Sequence, residues 1–230
     1  MLSFVDLVGD RPTLAGFAMA AAQIVVDDAG EAGCVVGVDT VDLPFAVASR
    51  GMVPMRVSTW EQLLSVGPGH HLPLDRDGRG AVAVFDPTGR PVHSPVVAGI
   101  AGSLVVAASL AIERARLVQR AAVRSSVAAA SALALTWHTD QLAELAASIG
   151  ELAGVTAVLV EIDDRGRPLR VSIGEASAQA VHRQFDLGGR RTFTVEISTA
   201  ADLPPRAFTR IDGVCGAVAH ELGGGRQTTV

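Results

Sequence analysis

The chain has 230 residues, room for one large domain or two small ones, and carries a formal charge of −5 with a pI near 5.6. An acidic chain with no basic excess lacks the footprint of a nucleic-acid binder, which is a basic patch on a basic domain. There is no Lys and no Asn, so all 19 basic residues are Arg, which excludes Schiff-base lysines, a P-loop lysine and any magnesium site built on Asn.

Apolar residues make up 49% but aromatic ones only 4%, with no Tyr, so the cores must be built from Ala, Val, Leu and Ile. Cys34 and Cys215 lie far apart without a CxxC partner, a pattern that indicates neither a zinc site nor a disulfide framework. The first residues carry Asp6 and Asp10 and lack the basic-then-apolar order of a signal peptide. A cytoplasmic location is expected.

Leu14–Asp28 places Leu14, Phe17, Ala21 and Ile24–Val25 on one helical face, with Gly30 and Gly33 closing it. Cys34–Val38 and Pro44–Ser49 read as adjacent antiparallel strands. Ser58, followed three residues later by Glu61, reads as a capping box opening a short helix. Val66–Arg79 is loop-like, dense in Gly, Pro and Asp. Ala81–Phe85 is an apolar strand, Asp86-Pro87-Thr88-Gly89 a turn, and Pro91–His93 an edge strand.

Val96–Ile112 is free of charge and then runs into Glu113-Arg114-Ala115-Arg116 and an Ala-rich tract that reaches Ala134. Its content of Ala, Gly, Ser and Val is weakly apolar on membrane-insertion scales, so it reads as a buried helix that continues as a connector. Leu142, Leu145, Ile149 and Leu152 restart a helical pattern that ends at Gly154. Ala157–Ile162 and Leu169–Ile173 form a hairpin, Glu175–Gln184 is less regular, and Thr192–Ser198 alternates as a strand. Val214–Leu222 closes the chain as a helix before a polar, Gly-rich tail.

The halves share an order of elements and some local text. GEAGCVVGV at 30–38 matches GELAGVTAVLV at 150–160, the segment 74–89 matches 185–198, and 94–113 matches 203–222. A tandem α/β repeat, its second copy trimmed in the middle, is the simplest account. The expected domains are residues 1–120 and 121–230.

A helix, a hairpin, a variable middle, a returning strand pair and a closing helix reading SLAIERARL, with the acid-Arg pair Glu113-Arg114, together resemble a GAF domain in each half. The resemblance implies an α/β (α+β) fold, with an antiparallel sheet flanked by helices in each domain. It also implies a sensory or regulatory role, dimerisation through terminal helices and, in some members, a small ligand held between sheet and loops. The chain departs from ligand-binding members: it has no cyclic-nucleotide signature, no bilin cysteine and no close cysteine set for methionine-sulfoxide reduction.

Among the polar constellations, His70-His71 on a Gly/Pro loop is the best candidate ligand site, with Trp60 on the preceding helix lining the same cavity. A solvated loop pair and a core Trp are the plainer readings of the same residues. No third ligand for a metal stands nearby, and the residues name no cofactor. Arg116, Arg120 and Arg124 recur every fourth residue, a solvated face by default and, on the sharper reading, a stripe that meets a partner helix in a homodimer. His220-Glu221-Leu222 shares three letters with a phospho-acceptor box, without the rest of a kinase, and reads as the end of a helix. The function expected is a non-enzymatic regulatory protein that binds a small molecule or a regulatory protein partner, with no nucleic-acid or membrane partner. A ligandless interaction scaffold is the alternative, and an enzyme using the His70-His71 loop comes third.

Overall fold

The structure is a computed structural model that describes residues 13–66, 69–74, 78–175, 180–200 and 203–223. The acids Asp6 and Asp10, part of the Val66–Arg79 loop and most of the Gly-rich tail lie outside them. The fold is mixed α/β with two separate antiparallel sheets. The chain divides into two compact units, Met1–Leu117 and Val118–Val230.

Unit 1 opens with helix α1 (Leu14–Gln23), capped by the Thr13 hydroxyl, which accepts the Gly16 N–H at 3.0 Å. Its last turn, Ile24–Asp28, widens to π geometry, and Gly30 at φ +76° turns the chain into the sheet. Strands β1 (Gly33–Thr40) and β2 (Ala46–Gly51) pair antiparallel, and helix α2 (Trp60–Ser65) follows. The capping box of α2 is built one residue later than expected: Thr59 accepts from the Gln62 N–H at 3.2 Å, and the Gln62 side chain accepts from the Thr59 N–H. Gln62 wins over Glu61 because it stands at the third helical position.

The segment expected as loop holds a short strand, β3 (His70–Leu72), paired with β4 (Gly78–Phe85). Asp86 then organises the predicted turn, its Oδ1 accepting from the Thr88 N–H, the Thr88 hydroxyl and the Arg90 N–H, with Gly89 at φ +77°. These hydrogen bonds, led by the one from the Thr88 hydroxyl, hold the Asp86 carboxyl below its usual range. Strand β5 (Pro91–Val92) adds to β4, completing a sheet of order β2-β1-β4-β3.

The two faces of this sheet are buried by different means. On one face lie Cys34, Val36 and Val38, all fully buried. On the other, Val35, Ala81, Ala83 and Phe85 meet Val57, Trp60 and Leu63 from α2 and the segment before it. The α2 side comes so close that a Cβ on Gly37 would overlap Leu63 Cδ2 and stand 3.2 Å from the Phe45 ring.

Helix α3 (Pro95–Thr136) runs for 42 residues, about 63 Å at the α-helical rise. By length and composition it is the one helix among the described residues apolar enough to cross a membrane, and 33% of its most apolar stretch is buried. Its first part, to Leu117, belongs to unit 1. Farther on, Ala122, Ala130 and Leu133 enter the core of unit 2. Trp137 at φ +53° breaks the helix, and its ring lies 5.0 Å from the Arg191 guanidinium.

In unit 2, helix α4 (Thr139–Gly150) buries Leu142, Leu145 and Ile149 as their spacing requires. Strands β6 (Val155–Asp164), β7 (Pro168–Ile173), β8 (Ala180–Gly188) and β9 (Arg191–Thr199) follow, in the order β7-β6-β9-β8. Strand β8 occupies much of the stretch read as less regular, because its partner β9 and the Gly188-Gly189 hairpin organise it. Helix α5 (Pro205–Leu222) begins well before the expected Val214 and places Ile211, Val214, Cys215 and Val218 in the core. The strand orders of the two sheets are the same permutation, and the matched sequence blocks fall on β1 and β6, on β4 and β9, and on the starts of α3 and α5. Among the described residues unit 2 has no helix between its second and third strands, where unit 1 has α2.

Because Leu63 is itself buried and has little room to retreat, Gly37→Ala is expected to destabilise the protein by about 1–3 kcal/mol in urea denaturation. Gly213→Ala on α5, where a Cβ meets nothing, is expected to stabilise it by about 0.5–1 kcal/mol. Equal stability of wild type and Gly37→Ala would mean that α2 does not press on the sheet.

Candidate functional site

Strand geometry separates the two histidines that the sequence places side by side. Successive side chains of a strand point to opposite faces, so His70 is buried while its neighbour His71 is exposed. His70 lies on the face of Cys34, Val36 and Val82. Trp60 packs on the other face, with Phe45 edge-on at 6.4 Å and the Arg79 guanidinium 4.6 Å over its ring. Arg79 is held there by Asp39 at 2.7 Å. His70 is therefore turned away from Trp60, whose sheet face the exposed His71 shares.

A different polar group assembles around His70. Its Nε2 accepts the Ser94 backbone N–H at 3.1 Å, and its ring stacks on His93 with centroids 4.3 Å apart. Ser94 is the N-cap of α3: its Oγ accepts the Val97 N–H at 3.1 Å, and its carbonyl accepts the Ala98 N–H at 3.0 Å. Pro95 takes the first helical position, where no N–H is needed. The Ser94 hydroxyl proton goes to Glu31 Oε1, from the link between α1 and β1. Burial lowers the proton affinity of His70, the adjacent His93 lowers it further, and Glu31 acts in the opposite sense.

This cluster contains a serine, a histidine and a carboxylate, yet its connections are not those of a nucleophile. The imidazole engages the backbone of Ser94 rather than its Oγ, and the hydroxyl is committed to Glu31 and to the helix cap. A nucleophile requires the base within reach of its own proton. The arrangement is built to end a helix.

Of the arginine stripe, Arg116 is taken up inside unit 1. Its Nη2 and Nε reach the Asp42 carboxylate at 3.1 and 3.2 Å, and Nη1 reaches Glu113 at 3.0 Å. Burial works against its charge, but the hydrogen bonds it donates to Asp42 and then to Glu113 outweigh that and raise its proton affinity. Arg120 and Arg124 are exposed. No local signal marks Asp42 or Glu31 as partners, since each lies more than sixty positions from the residue it holds. Ser94-Pro95 ahead of an apolar helix, by contrast, is a readable start signal.

The cysteines are buried, and burial pushes both thiols up to about 12. Asp27 pairs with Arg50 at 2.7 Å, and Asp163 accepts the Gly166 N–H in a turn. Among the described residues no three His, Cys, Asp or Glu side chains converge as a metal site. Unit 2 carries a half-open cleft of about 180 Å³ beside β6, β7 and β9, lined by Leu159, Ser172, Gly174, Glu196 and Ser198 among others. No protein-family model matches the chain, and no curated protein matches it.

Because the Asp42 and Arg116 side chains are only 14% and 19% exposed, a double-mutant cycle of Asp42→Ala and Arg116→Ala is expected to give a coupling of about 1–3 kcal/mol. A coupling near zero in denaturant melts would mean that the pair does not anchor α3.

Proposed function

We propose that the protein is a non-enzymatic regulatory protein of two GAF-like units that acts through protein contacts and dimerises along helix α3. One observation carries this reading. The same continuous helix is tied to unit 1 through Ser94 and Arg116 and supplies Ala122, Ala130 and Leu133 to the core of unit 2. A change of state at either unit therefore acts on an element that the other unit shares.

The outer side of the helix supports dimerisation. Val96, Val106, Leu110 and Leu117 are 45%, 52%, 48% and 59% exposed, at spacings close to multiples of 3.5. That spacing supports the seam of a helix pair over a scatter of surface residues. Arg120 and Arg124 extend this surface at its polar end, whereas Arg116 faces its own unit. The two ties to unit 1 also favour a partner helix over a membrane, because inserting α3 into lipid would require breaking both.

A protein partner is favoured over a small ligand in unit 1. The space between its sheet and α2 is filled by Trp60, Leu63, Phe45 and Val57, with Leu63 and Phe45 directly over Gly37. The cytoplasm is the proposed location.

Sedimentation velocity on the full chain is expected to return a dimer, and Leu110→Glu is expected to weaken it about a hundredfold, the equivalent of about 2.7 kcal/mol. A concentration-independent monomer would remove the dimer from the reading. A thermal-shift screen of nucleotides, haem and metabolites is expected to give no shift, and a saturable shift would move the reading to a ligand sensor.

A further inference from the structure

We propose that the N-terminus of α3 is a proton-sensitive latch in which His70, Ser94 and Glu31 exchange partners. The inference stands on the geometry of the cap and goes beyond the functional reading, since it holds whether or not the protein dimerises.

In the closed arrangement His70 must be neutral with its proton on Nδ1, because Nε2 accepts from the Ser94 N–H. An imidazolium has no acceptor. Protonation at Nε2 therefore breaks that hydrogen bond, and it adds a positive charge at the positive end of a helix dipole. It also creates a cation beside Glu31, which then prefers the imidazolium to the Ser94 hydroxyl. Once Ser94 loses both of these partners, its hold on the Val97 N–H is no longer fixed in place. The proton comes from solvent, and no other bond changes.

The charged and titratable groups facing His70 among the described residues come from three elements. Glu31 faces it from the link after α1, and His93 from the link between β5 and α3. From β1, Cys34 shares the sheet face and remains a thiol. Asp27, farther along the π turn, is neutralised by Arg50 of β2. The β4 residues on this face, Gly80, Val82 and Val84, carry no charge. Glu31 is thus the single acid placed to receive the imidazolium.

The sign follows from linkage. The folded state holds a proton on His70 less readily than the unfolded chain does, so the latch is at full strength above the ordinary imidazole pKa of about 6.5. It weakens as pH falls below that value.

The test is amide hydrogen exchange on the full chain, corrected for intrinsic rates, read at Val97 and Ala98 from pH 7.5 to 5. Protection is expected to fall as pH drops below about 6.5, by up to about tenfold per pH unit. His70→Gln, which keeps an acceptor for Ser94 but does not titrate, is expected to flatten the profile, and Glu31→Gln to move its onset to lower pH. Superimposable profiles for wild type and His70→Gln would overturn the latch. If His70→Gln fails to fold, ¹⁵N NMR of the wild-type imidazole decides instead. An Nδ1–H tautomer with a lowered pKa supports the latch, and an Nε2–H tautomer or an ordinary titration overturns it.

Discussion

Helix α3 depends on how its first turn is capped. An α-helix leaves its first four N–H groups without internal partners, and they must be supplied from outside the helix. Here Ser94 takes that role with its hydroxyl and its carbonyl, while Pro95 removes one donor outright. The cap is itself held from two sides, by His70 on its backbone and by Glu31 on its hydroxyl. Three separate parts of unit 1, the link after α1, strand β3 and the start of α3, thus converge on one serine. Remove that convergence and the 42-residue helix loses one of its two ties to unit 1.

The second tie is chemically different. Arg116 reaches Asp42 with two nitrogens, a fork that fixes orientation as well as distance. A guanidinium stays charged at any physiological pH, so this anchor does not respond to protons, whereas an imidazole acceptor does. The helix is therefore tied at one point by a contact that titrates and at another by one that does not. Between them Val97, Leu104, Ala107, Ala108 and Ala111 are buried along one side.

Much of the fold was legible because burial imposes periodicity. Leu142, Leu145 and Ile149 declare a helix face, and Phe193, Val195 and Ile197 declare a strand face, in sequence and in structure alike. The turn at Asp86 was legible for a local reason, since its hydrogen bonds close within four residues. What escaped was decided by distant partners. Strand β3 is three residues long and exists only because β4 offers it a ladder. The left-handed backbone of Trp137 has no local signal at all; a bulky residue holds that conformation only when packing and the Arg191 contact over-determine it. The candidate site suffered in the same way. His70 and His71 looked like a pair because they adjoin in sequence, and a strand is the one regular structure that sends neighbours to opposite faces.

The repeated strand order makes the difference between the two units informative. In unit 1 the face of Val35, Ala81 and Ala83 is apolar and lies under α2. In unit 2 the corresponding face presents Glu161, Thr194 and Glu196 in register with Arg170 and Gln184, and among the described residues no helix intervenes between β7 and β8. A polar face needs no cover, and an apolar one cannot do without it. The covering helix and the apolar face thus go together in unit 1, and the polar face of unit 2 goes with its exposure. The unit whose sheet is covered by α2 also holds the start of α3, with the cap on the opposite face of that sheet, beside Val36 and Val82. Unit 2 contributes a core into which the far part of the helix is packed. This asymmetry gives the shared helix a direction, from an end whose capping contacts can change partners to an end whose Ala and Leu side chains are locked in a core.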